Sequence, residues 1–199
     1  MKRFIAIASL ALLAGGPALS QPGATAQPLG GPIVAGVCLL SQQAVVANAK
    51  IGVAASTRLK QLADQAQGEI NAERAPIEAD AKALEGQRAS LKPADFQQRQ
   101  QALATRAQAL QQKANLRGRE IEATRAKALG QIATEAQPVI AQVYKTRGCG
   151  LLVDRNSVLG GNMANDLTAA AVQGLDAKIT TITFDRETLP AGGAGAAGQ

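Results

Sequence analysis

Two thiols and a crowd of cations are the groups in this chain whose chemistry stands out. Cys38 and Cys149 are its only cysteines, about 110 positions apart, which excludes a Cys-x-x-Cys redox centre. Bonded to each other in an oxidising compartment, they would close a loop worth on the order of 4–5 kcal/mol in the chain-entropy model. The alternative is two buried free thiols. The chain contains no histidine, so the commonest general base and metal ligand is missing. Asp154, beside Asn156, reads as a turn residue at a strand end. Glu78, Asp80 and Glu85 read as solvated charges on a helix rather than an acid–base pair. No phosphate loop or dinucleotide fingerprint occurs. The expectation is a protein that is not an enzyme and holds no cofactor or metal.

The cations are clustered. Between Lys82 and Lys127 ten basic residues meet four acidic ones, a local charge of +6, whereas residues 151–189 carry −2. A solvated helix face accounts for any one of these charges. Their segregation points to attraction for an acidic partner: an unfolded acidic polypeptide, anionic lipid or lipopolysaccharide. Arg88, Lys92, Arg99, Arg106, Lys113, Arg117 and Arg119 are the candidate contacts. Nucleic acid is the weakest partner class, because no stacking aromatics accompany the cations.

What must position these groups follows from the rest of the chain. Lys2 and Arg3, the apolar run from Phe4 to Ala14, and Ala18-Leu19-Ser20 before Gln21 have the layout of a secretory signal peptide over residues 1–20. A second small-residue site, Ala24-Thr25-Ala26, lies farther from the apolar run. A retained anchor or an amphipathic helix are the competing readings. Cleavage lowers the net charge from +6 to +4 and leaves a chain expected in the periplasm. Residues 21–32 are rich in Pro and Gly and read as a flexible leader. Ile33 to Leu40 reads as a buried strand, and strand signals return at Leu151–Val153, Val158-Leu159 and Ile179 to Phe184. The tail 190–199 reads as disordered.

Residues 41–147 read as helix. Ala63, Ile70, Ile77, Leu84 and Leu91 recur every seven residues, the spacing of a coiled-coil seam. Pro93 breaks that pattern and suits the first turn of a new helix. Phe96, Leu103 and Leu110 continue at seven, then Ile121, Ile132 and Val143 at eleven. In an antiparallel hairpin, facing residues have position numbers that add to a near-constant. Leu91 with Phe96, Leu84 with Leu103, and Ile77 with Leu110 all give 187. One fold-back near residues 91–95 therefore aligns the apolar positions of both arms, each roughly 75 Å long at ~1.5 Å per residue. A break near Gly52, with a short helix before it, and kinks at Pro76 and Pro138 are further expectations. The hairpin also brings Cys38 and Cys149 to its own base.

The fold class is α+β, mainly α: a long antiparallel coiled-coil hairpin inserted into a small β body formed by residues 33–40 and 148–189. Gly150-Leu151-Leu152-Val153-Asp154-Arg155-Asn156-Ser157-Val158, then Asn165-Asp166-Leu167-Thr168 opening a short helix, give the chain its most specific likeness. Over about residues 33–175 it resembles the OmpH/Skp-like family of periplasmic outer-membrane-protein chaperones. The resemblance implies a homotrimer joined through its β bodies. It also implies an ATP-independent holdase that keeps unfolded outer-membrane proteins from aggregating before insertion. The alternative is a periplasmic adaptor or scaffold of an envelope complex that uses the same hairpin. The segment Ile179 to Phe184, the Gly-rich tail and the cysteine pair depart from the family pattern.

Overall fold

The computed structural model describes residues 30–190. The expected signal peptide, most of the leader and the tail beyond Pro190 lie outside the described residues. The element order is β1 (Val37–Leu40), α1 (Gln42–Asn48), α2 (Lys50–Gly86), α3 (Pro93–Thr146), β2 (Leu151–Asp154), a 3-10 turn (Arg155–Ser157) and α4 (Thr168–Lys178). The opening strand is four residues long, not eight, since regular pairing begins only at Val37. β1 and β2 run parallel, Val37 opposite Leu151 and Leu40 opposite Asp154. Parallel neighbours need a long crossover, and here the entire hairpin serves as that crossover.

The hairpin is made of α2, 37 residues, and α3, 54 residues, roughly 55 and 80 Å long at ~1.5 Å per residue. The chain reverses over residues 87–92, slightly before the span expected from the apolar pattern. Lys92 is extended (ψ 144°) and Pro93 occupies the first turn of α3, where a missing N–H costs nothing and the fixed φ suits a helix. Polar contacts between the arms show the register directly. Arg99 with Gln87, Arg106 with Asp80, Lys113 with Glu73 and Arg117 with Glu69 all have numbers that add to 186. Both helices run through Pro76 and Pro138 without interruption.

The helix break falls at Ala49, which is extended (ψ 145°) and fully buried, three residues before the expected Gly52. Gly52 has a different task. A Cβ there would sit 1.7 Å from the Val46 carbonyl oxygen, so only glycine lets α1 fold back onto α2 so closely. Ser41 caps α1 by accepting the Ala44 N–H at 3.1 Å, and its own N–H donates to Thr168 Oγ1 at 3.0 Å. The core is small and lies in the body and arm root: Cys38, Leu40, Val45, Ile51, Ile132, Leu167 and Leu175 are buried there.

The Asn165–Thr168 motif holds the body together. Asn165 donates to the carbonyls of Val34 and Val37, and residues 165 and 167 bond the backbone of Leu39 from both sides. Asp166 accepts the Thr168 N–H at 2.8 Å and pairs with Arg155 at 2.9 Å. Burial opposes ionisation of Asp166, but the Thr168 and Arg155 contacts outweigh it and hold its pKa below the ordinary value.

Two expected strands are not strands. Residues 158 and 159 lie in irregular chain, with Leu159 fully exposed. Residues 179–190 have no ladder partner. Instead of widening the sheet they leave α4 as an extended strap packed along the hairpin. The period-two alternation that suggested a strand is present, but its inward side chains face two helices.

Candidate functional site

The two cysteines meet at the arm root in a disulfide, with Cα atoms 5.8 Å apart and a sequence separation of 111. Cys38 comes from β1 and Cys149 from the turn after α3, where Gly148 takes a positive φ of 65° to redirect the chain toward β2. The bond therefore ties both ends of the hairpin to one point.

The candidate cations are mostly committed to the hairpin itself. Arg88 pairs with Glu85 at 3.1 Å and lies 5.4 Å over the Phe96 ring. Arg106 pairs with Asp80 at 2.6 Å, Lys113 with Glu73, and Arg117 with both Glu69 and Glu120. Arg99 donates to the Gln87 side chain at 3.0 Å. Lys92 stands exposed at the tip, and Arg119 is exposed on α3. The hairpin register also changes the charge count. Lys127 lies opposite residue 59, and over residues 59–127 twelve basic residues meet nine acidic ones, a net charge of +3. The +6 seen along the sequence counted one arm without the acids that face it.

Sequence reasoning missed the most buried charge in the described residues. Glu120 on α3 is 2% exposed. It pairs with Arg117 at 2.7 Å and Arg186 at 3.3 Å, and accepts the Leu189 N–H at 3.3 Å. Arg186 also reaches Glu69 on α2 at 3.0 Å, so one guanidinium from the strap bridges both arms. Arg186 first, then Arg117, hold the Glu69 carboxyl below the usual range, and Glu69 in turn raises Arg117. The one signal available beforehand was the alternation Ile182, Phe184, Arg186, which places an arginine on an otherwise apolar edge.

The hairpin has a groove on each side of its seam. The strap lies in one, against Arg58 and Glu69 of α2 and Glu120, Thr124 and Lys127 of α3. The other is open, about 900 Å³, and runs between α1, α2 and α3. Gly52, Ala55, Ala63, Ala128 and Ala136 line it, and such small side chains leave the space. Val46, Leu59, Leu129 and Ile140 provide apolar walls, and Lys60, Glu122 and Arg125 stand at the rim. Among the described residues no His, Cys, Asp or Glu cluster has a metal-binding arrangement, and no helix is long and apolar enough to cross a membrane.

The architecture is a long two-helix arm rooted in a minimal parallel sheet, with an open apolar groove at the arm root. The family model for outer membrane protein (OmpH-like) matches residues 36–175, and the chain belongs to that family. The fold is similar to a crystal structure from Caulobacter crescentus CB15, described provisionally as an OmpH-like outer membrane chaperone. The two share 39% identity, with 80% of this chain and 94% of that one covered, at a TM-score of 0.74. No curated protein matches the chain.

Proposed function

We propose that this chain is a periplasmic, ATP-independent holdase that binds unfolded outer-membrane proteins and keeps them from aggregating before insertion. The open apolar groove at the root of a long, thinly packed hairpin carries this reading. Weak contacts spread along an arm suit a long, weakly hydrophobic client, since many together give avidity while each remains reversible. The disulfide supports an oxidising compartment, where such bonds persist. A homotrimer is the proposed assembly. A two-stranded sheet is marginal alone, β2 pairs only with β1 among the described residues, and Leu151 nearby is 56% exposed.

The cations then serve as a field rather than as individual hooks. Lys92 and Arg99 near the tip, with Arg88, Arg106, Lys113, Arg117 and Arg119 along the arm, attract acidic client segments or the anionic surface of lipid or lipopolysaccharide. Urea-unfolded porin diluted into the mature protein tests the reading by light scattering. Aggregation is expected to be suppressed at a ratio near three chains per client, less so at high salt. Porin aggregating equally fast at every ratio overturns it.

A further inference from the structure

Beside the side-chain pairs of Asp185, Arg186 and Glu187, the strap is held through its main chain. Arg58 Nε donates to the Phe184 carbonyl at 3.1 Å, the Glu187 N–H donates to Thr124 Oγ1 at 2.9 Å, and the Leu189 N–H donates to Glu120 at 3.3 Å. These are main-chain contacts that any residue other than proline supplies. The side chains alternate, with Ile182, Phe184 and Arg186 turned inward and Thr181, Thr183 and Asp185 outward, as in an extended chain with one face covered. The alternation spans six residues, 181–186, and transmembrane barrel strands carry the same apolar–polar pattern over about ten.

The groove beneath tolerates an empty state. Without the strap, Glu120 and Glu69 still share Arg117, at 2.7 and 2.8 Å, and the Thr124 hydroxyl still donates to the Glu120 carbonyl at 2.6 Å. No buried charge loses its last partner, so leaving costs the packing of Ile182 and Phe184 and the Arg186 pairs but strands no charge. The strap has no ladder of its own, a mark of segments that open locally.

Building on the holdase reading, we propose that this groove is a second client site, specific for extended polypeptide of alternating apolar and polar side chains. The strap is its resident occupant, a tethered competitor that client strands displace. Tethering gives the strap a high effective concentration, so a client needs several strand segments, as an unfolded barrel has, to compete. The strap thereby screens out short or non-alternating chains.

Amide hydrogen exchange of the full-length protein, with and without urea-unfolded porin, tests this alongside two variants that loosen the strap. Arg186→Ala removes the bridge to both arms, and Glu187→Lys sets like charge against Lys127. Porin is expected to strip protection from the Glu187 and Leu189 amides. Arg186→Ala should bind porin about threefold to tenfold more tightly and Glu187→Lys somewhat less so, because less strap has to be displaced. If porin binds while strap protection is unchanged, or if loosening the strap leaves affinity equal or weaker, the strap is only a brace and the proposal fails. If wild-type protein binds no porin at all, the holdase reading falls first and takes this one with it.

Discussion

The body-side and tip-side halves of the hairpin use similar residues and are held by different forces. Near the body, Ile51, Ala55, Ala128 and Ile132 are buried, and the disulfide and strap close the structure from two sides. Toward the tip, no residue of α3 between Pro93 and Arg119 is buried, and Leu84 is the only buried residue of α2 beyond Ile70. What remains there is a half-buried seam of Ile77, Leu91, Phe96, Leu103 and Leu110 flanked by ion pairs. Exposed ion pairs contribute little stability but punish a slipped register. The root is thus built to persist, and the tip to keep alignment while remaining easy to bend.

Several changes should separate these halves, beginning with the root. Replacing both cysteines by alanine is expected to cost about 4 kcal/mol in urea unfolding, with little change in tip helicity. Gly52→Ala forces α1 off α2 and should cost about 3 kcal/mol, seen as faster exchange in Val45 and Ala49. Glu120→Gln leaves Arg117 and Arg186 facing a neutral amide. A loss of about 2 kcal/mol is expected, with strap amides exchanging faster than those at the tip.

Acid should act at the same place. Glu69 has a folded pKa below its unfolded value, so its contribution is present above the ordinary carboxylate pKa. That contribution is lost as pH falls through the depressed one. Asp166 is shifted in the same direction. Strap and body should therefore loosen as pH falls below about 4, read as lost amide protection at Leu189 and Leu167. The smallest effect is at the tip: Arg106→Ala, removing a half-exposed pair with Asp80, should cost under about 0.5 kcal/mol. A loss near 2 kcal/mol there would show that the ladder, not the root, sustains the hairpin.

Amphipathic spacing made the hairpin legible, because burial of a helix face needs only a repeating pattern. The same heptads placed Ile70, Ile77, Leu84 and Leu91 correctly, while Leu62 and Ala66 took the buried positions expected for Ala63. Ala63 instead lines the open groove beside α1, and that groove is not visible from one helix's periodicity.

The sequence by itself determined the fold-back, its register to within one residue, and the family, and it brought Cys38 and Cys149 to the same end of the hairpin while leaving their bonding open. The fold-back and register follow from repeats and antiparallel geometry, which are local or pairwise, and the family from the resemblance carried by residues 150–158 and 165–168. Only the tertiary structure decided where residues 179–190 lie and which cations are already paired. An alternating segment is compatible with any apolar edge, and a charge count along one arm omits the carboxylates that face it from the other. Those outcomes depend on which surfaces remain uncovered once the hairpin has closed.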